Sequence, residues 1–290
     1  MVRMRFLRRF LLVPVATIGI LGTFHGSFNT LDGQQPAPKK KRVLAIGAVA
    51  GFQHDSVSNG LATIYELGKE SGLWDTYIRT DTQLLTKKKI PAPAGNAKNL
   101  DYFDAVYFYT TGELAMTDDQ KADLLSFVKD DGKGFIGGHS AIDTFYKWPE
   151  YGEMVGAYFD NHPWGQFLAP IVVEDRESPI TRHFPAKFQI KDEIYQPSKE
   201  FSREKLRVLM RLDPAPGAVD WAHQGVKRQD HDVAVAWIKE YGKGRVFYTT
   251  FGHREEVYER PDIRKMYLEA VKWALGITKS DATPRPMPAQ

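Results

Sequence analysis

Four of the eight histidines sit in short segments that also carry glycine, aspartate or an aromatic residue: His54 in GFQHDS, His139 in GGHSA, His162 in FDNHPW and His253 in FGHREE. Carboxylates accompany them. Asp55 follows His54, Asp143 lies four residues beyond His139, Glu255 lies two beyond His253, and KDEIYQ offers Asp192 and Glu193. Imidazole beside carboxylate supports general acid and base catalysis, in which one group takes a proton while its partner fixes the tautomer and stabilises the cation. The same two ligand types also hold divalent metals. Spacing does not choose between these chemistries, since no H-E-x-x-H or comparably tight ligand pattern is present. Ser140 makes a poor nucleophile, because it lacks G-x-S-x-G flanks and His139 is adjacent in sequence, the wrong geometry for its base. Phe145, Tyr146, Trp148, Trp164, Tyr195 and Trp221 accompany these polar residues and suit either stacking on sugar rings or ordinary core packing.

Such residues act together only if the fold gathers them. RVLAIGA (42–48), DAVYFYT (104–110) and GFIGG (134–138) read as strands buried on both faces, separated by helical patterns. VSNGLATIYELGKES places Leu61, Ile64, Tyr65 and Leu67 near helical spacing, and DDQKADLLSFVKDDG opens after Thr117 as its N-cap and stops at Gly132. RPDIRKMYLEAVKWALG gives a last helix ending at Gly276. This alternation predicts an α/β fold, a doubly wound parallel sheet between two layers of helices. Between residues 167 and 248 strands dominate instead, with a hairpin turn at YGKG (241–244), so an antiparallel β-rich excursion is expected. His54, His139 and His253 each follow a strand predicted to be parallel, which projects all three onto the carboxyl edge of the sheet, where open α/β folds bind ligands. His162 follows soon after the glycine turn.

Composition sets the outer bounds. The 290 residues, 42% hydrophobic and 12% aromatic, are enough for a full-sized core. Lysine and arginine (39) nearly balance aspartate and glutamate (36) and form no basic stripe, which argues against a nucleic-acid partner. With no cysteine, disulfides, thiolate nucleophiles and cysteine-ligated zinc are all excluded. Arg3, Arg5, Arg8 and Arg9 precede an apolar run over 10–24, the order of a secretory signal, which makes 1–28 a signal peptide or uncleaved anchor and the protein exported, periplasmic or secreted. Residues 29–41 read as a polar, Pro-containing linker, 42–278 as the folded domain and 279–290 as a disordered tail.

Taken in order, AGFQHDS, GGHSAIDTFYKWPEYGEMVGAYFDNHPW, DEIYQ and HDVAVAWIKEYGKGRVFYTTFGHREEVY resemble the ThuA-like family, named from trehalose utilisation, over nearly the whole folded part. The resemblance implies a flavodoxin-like fold of the class I glutamine-amidotransferase superfamily and a link to carbohydrate metabolism. Against the amidotransferase motif Gly-x-Cys-x-Gly-His, the stretch Gly134 to His139 puts Ile136 at the cysteine, so glutamine hydrolysis through a thiolate is excluded, while His253 and Glu255 keep the His-x-Glu pattern. The expected function is therefore a hydrolase or lyase acting on an oxidised, 3-keto disaccharide or glycoside, downstream of a sugar oxidoreductase. Its catalytic set is His54, His139, His253 and Glu255, with Asp55, Asp143, Tyr146, Trp148, His162, Trp164 and Glu193 binding the sugar. Three alternatives stay open: a divalent metal bound by the histidines, a hydrolase using Asp143 and Glu193 as paired carboxylates, and a non-catalytic sugar-binding module. Homo-oligomerisation stays open as well.

Overall fold

The computed structural model describes residues 39–95 and 97–287; the expected signal or anchor and the linker up to residue 38 lie outside the described residues. The first half of the domain comprises β1 (Lys41–Ile46), α1 (Val57–Ser71), β2 (Trp74–Arg79), β3 (Ala105–Phe108), α2 (Asp118–Lys129), β4 (Gly134–Gly138) and α3 (Pro149–Val155). The second half comprises β5 (Phe159–Asn161), β6 (Gln166–Val173), β7 (Lys187–Glu193), β8 (Gln196–Pro197), β9 (Arg207–Leu212), β10 (Ala234–Tyr241), β11 (Gly244–Thr249) and α4 (Pro261–Ala274). Nine strands form one sheet in the order β2-β1-β3-β4-β11-β10-β9-β6-β7, and β5 pairs with β8 beside it. The first five are parallel and follow the flavodoxin-like order.

Period-two alternation along the parallel strands feeds two cores. Val43 and Ala45 pack with Leu61 and Ile64 of α1 and Met266 and Val271 of α4, whereas Leu44 and Ile46 pack with Phe127 of α2 and Met154 of α3. These are the three layers that the alternation of elements predicts. Thr117 closes a full capping box with Gln120 at the start of α2. Sequence reading passes over β2 because it lies at the sheet edge and WDTYIR leaves most of its side chains partly or fully exposed.

The antiparallel excursion extends this same sheet. Every step from β11 to β7 is antiparallel. Four such steps leave β7 running in the same direction as β11, so the strand ends, with Glu193, at the edge where the histidine loops emerge. In a flat sheet four strand spacings would separate them by about 19 Å. The sheet curls back instead: the Asp192 carboxylate accepts hydrogen bonds from the backbone amides of Gly252 at 2.7 Å and Arg254 at 3.1 Å.

A buried ionic network clamps the curled part. Arg203 donates to both oxygens of Glu174 (2.8 and 2.9 Å) and both of Asp232 (2.7 Å each), and Arg211 of β9 lies 2.8 Å from Glu174. Those acids stand just after β6 and just before β10. The C-terminal segment expected to be a disordered tail is docked through residue 285: Arg207 binds Asp281 at 2.6 Å, Ser178 meets Ser280 at 3.0 Å, and Arg285 donates to the Val208 carbonyl at 3.3 Å. Polar side chains with partners on β9 hold it where composition alone suggests fraying. Among the described residues no helix is long and apolar enough to cross a membrane.

Removing one member of a buried ion network strands the others without compensation, so Arg203→Ala is expected to lower stability by about 3–5 kcal/mol in chemical denaturation. A loss below about 1 kcal/mol, typical of exposed pairs, would show that the network does not clamp the extension.

Candidate functional site

His54 lies in the loop between β1 and α1, His139 immediately follows β4, His253 stands four residues beyond β11, and Glu193 ends β7. One donor atom from each falls within 4.8 Å of the others. The ring centroids of His54 and His139 are 4.7 Å apart, those of His54 and His253 5.1 Å, and those of His139 and His253 5.3 Å. Glu193 Oε2 lies 3.1 Å from His253 Nδ1 and 3.8 Å from His139 Nε2. At 3.1 Å the His253 contact is a charge pair whose geometry is not aligned for a hydrogen bond. From the rim, the exposed His162 brings Nδ1 to 3.5 Å from Glu193 Oε1.

The surrounding backbone fixes these side chains. His139 adopts φ 38°, a left-handed conformation that is unusual for a non-glycine residue, at the turn from β4 into a short 3-10 helix. Nucleophile elbows present their reactive residue in this kind of sharp strand-to-helix turn. Ile136, expected at the place of the amidotransferase cysteine, is instead buried inside β4, and the elbow position three residues later carries an imidazole. His139 Nδ1 lies 2.6 Å from the Thr250 carbonyl, which can only accept, so Nδ1 carries a proton. Ser56 Oγ lies 2.6 Å from Tyr109 Oη and 2.8 and 2.9 Å from the carbonyls of Gly252 and His253, which ties the His54 loop to the His253 loop. Gly252 has φ 123°, and a Cβ there would stand 2.2 Å from Tyr258 Oη, so only glycine fits that turn.

Burial sets the protonation. Desolvation, reinforced by the charge of His253, pulls His54 down to about 4, and desolvation with the charge of His54 pulls His139 well below the usual imidazole range. Both rings are therefore neutral at neutral pH. Burial also lowers His253, but Glu193 outweighs it and the net shift is upward. With His139 Nδ1 satisfied by Thr250 and His54 Nε2 3.3 Å from Tyr195 Oη, the opposite nitrogens, His139 Nε2 and His54 Nδ1, are buried without any hydrogen-bond partner. Three imidazoles and a carboxylate gathered this closely, with ring nitrogens that lack hydrogen bonds, fit a divalent cation with three nitrogen ligands and one oxygen ligand.

Asp143, His162, Phe159 and Tyr195 line a cavity of about 370 Å³ above the cluster. Desolvation raises the Asp143 pKa, although the Tyr146 hydroxyl, donating at 2.5 Å, opposes the shift. Other expected site residues sit elsewhere. Glu255 is exposed at the rim and His253 meets Glu193 instead, because the chain turns into a 3-10 helix directly after Arg254. Asp55 is also at the rim, and His54 has Tyr195 as its partner. Trp148 is buried in the core against Phe145 and Tyr151, and so cannot meet a sugar. Trp164 packs edge-on against Trp221 and donates to the Asp220 carbonyl at 3.0 Å, away from the cavity. Sequence reading missed Phe52, Phe159 and Thr250. Phe52, next but one to His54, had a local signal; Thr250, which acts through its backbone carbonyl, had none.

The family model for ThuA, described as trehalose utilisation, matches residues 42–274. Solved structures similar to this chain include a protein described as ThuA-like from Parabacteroides merdae, with TM-score 0.61, 15% identity, and coverage of 86% of this chain and 94% of that one. A second protein so described, from Bacteroides uniformis, gives TM-score 0.64, 18% identity, and coverage of 83% and 94%. A glutamine amidotransferase from Thermotoga maritima aligns more loosely, with TM-score 0.46 and 11% identity over 82% of this chain and 99% of that one. At these identities the likeness to the two ThuA-like proteins is one of fold alone. No curated protein matches the sequence.

Titration with Zn²⁺ or Mn²⁺ is expected to fit one ion per chain in calorimetry. His139→Ala should weaken binding by on the order of a hundredfold or more, and Asp192→Asn, which loosens the His253 turn, by about tenfold. Equal affinity in all three proteins would mean that the cluster holds no ion.

Proposed function

The chain belongs to the ThuA family of trehalose utilisation, and on that premise we propose that it is an enzyme cleaving an oxidised disaccharide, a 3-keto glycoside, at a divalent-cation site made by His54, His139, His253 and Glu193. One observation carries this reading: three imidazoles and a carboxylate converge beneath an aromatic-walled cavity, with one buried nitrogen of each ring left without a hydrogen bond. The N-terminal arginines and apolar run support an exported protein, supplied by an oxidoreductase that makes the ketone.

A carbonyl at C3 of the sugar acidifies the hydrogen on C2. A base takes that proton, the C1–oxygen bond breaks with its electron pair leaving on oxygen, a C1–C2 double bond forms, and the departing oxygen is protonated. Water added across the double bond completes a net hydrolysis. When bound, the cation supplies stabilisation of the negative charge that develops on the C3 oxygen. Asp143 is the proton-transfer group: it lies in the cavity outside the cation cluster, and burial raises its pKa, which strengthens the carboxylate as a base. Tyr146 holds its carboxylate in place. His162 faces the same cavity and serves the leaving oxygen. Phe159 and Tyr195, with ring centroids 4.3 Å apart, wall the sugar and keep water from the reacting carbon.

The test is turnover of 3-ketotrehalose by cation-loaded protein. Asp143→Asn is expected to lower kcat by 10²–10⁴-fold with cation affinity unchanged, and His139→Ala to lose both activity and cation. Equal rates in the three proteins would remove the proposal. Tight sugar binding without product under any metal supplement would leave a non-catalytic sugar-binding module.

A further inference from the structure

Among the described residues Phe52 is one of the few large apolar side chains left in water, 64% exposed, yet it stands beside the buried His54 and His139. Its ring meets His54 edge-on, with centroids 4.8 Å apart. It also lines two cavities at once: the inner one of about 370 Å³ above the cation cluster, and an outer one of about 240 Å³. His54 and His253 are common to both.

The backbone that carries the ring is firmly mounted. Ala50 N donates to the Thr111 carbonyl at 2.9 Å, Gly51 N donates to Thr111 Oγ1 at 3.4 Å, and that hydroxyl donates to the Phe52 carbonyl at 2.9 Å. Gly112, at φ 76°, lets this loop close against β3: a Cβ there would stand 2.6 Å from Ala50 C and Gly51 N. With the backbone already fixed, a ligand that covers the ring has only its side-chain rotamer left to order.

The two cavities differ in chemistry. The inner one has aromatic walls and the reacting groups. The outer one is lined by Gln53, Asp55, Gln166, Arg254, Glu255 and Glu256, a set of carboxylate, amide and guanidinium groups suited to sugar hydroxyls. Arg254 is braced by Gln166 and Glu256, each at 2.7 Å.

We propose that Phe52 divides the site into two sugar subsites: the ring that reacts sits in the inner cavity, and the leaving sugar stacks on Phe52 in the outer one, with Asp55 and Glu255 binding its hydroxyls. The proposal rests on the disaccharide reading above and makes Phe52 the residue that selects a disaccharide over a simple glycoside. The glycosidic bond then lies beside His54 and His253, the two histidines shared by both cavities.

Calorimetry on the cation-loaded chain with α,α-trehalose and with methyl α-glucopyranoside tests it. The wild type should bind trehalose about tenfold more tightly. Phe52→Ala should abolish that ratio by weakening trehalose alone, and Phe52→Trp should keep it. Equal weakening of both ligands, an unchanged ratio, or no trehalose binding by the wild type overturns the two-subsite assignment. The arms separate this inference from the catalytic reading. If the ratio depends on Phe52 and no 3-keto sugar is turned over, the subsites stand and the enzyme reading falls. If 3-ketotrehalose and methyl 3-keto-α-glucoside are consumed with equal kcat/KM by wild type and Phe52→Ala, the enzyme reading stands and the subsites fall.

Discussion

Asp192 joins the far end of the antiparallel extension to the turn that follows β11. Its carboxylate is fully buried, burial pushes its pKa up to about 7, and the amides of Gly252 and Arg254 are the groups that hold it. Everything chemical in the molecule depends on this contact. Without it, Glu193 would stand on a strand four positions away from the histidine loops, and the cluster would have imidazoles but no anion. Adjacent residues of one strand thus divide the work, Asp192 anchoring the turn and Glu193 facing the histidines.

The strained turn at His139 gives the site its second constraint. A left-handed non-glycine residue persists only where its surroundings over-determine it. His139 is held by Thr250 at the ring, by the Tyr248 hydroxyl donating 2.7 Å to its carbonyl, and by Tyr195, whose ring lies at a centroid distance of 4.3 Å. A backbone suited to displaying a nucleophile therefore displays a neutral imidazole whose free nitrogen faces the cluster. The scaffold beneath it is a flavodoxin-like sheet.

Much of this was legible in the sequence. Apolar runs followed by histidine marked the carboxyl edge of β1, β4 and β11, because parallel strands buried on both faces leave a strong local signal. Glu193 was visible as a strand-end carboxylate, but its partner was not: the local pattern His-x-Glu pointed to Glu255, whereas the contact comes from a strand 60 residues earlier, through a curl that no local pattern encodes. Aromatic character misled for Trp148 and Trp164 and was overlooked at Phe52. Sequence reports that a ring is present, and only packing decides whether its face meets core or solvent.

The wide separation of the four donors has a consequence for how the protein comes into being. They occur at positions 54, 139, 193 and 253, and the strand that must curl back is threaded between the second and the fourth. Such non-local pairing forms late, since long loops must close before any contact rewards them. During synthesis no partial chain carries a finished site, only scattered imidazoles. Any ligand that needs all four donors would therefore favour the completed fold alone.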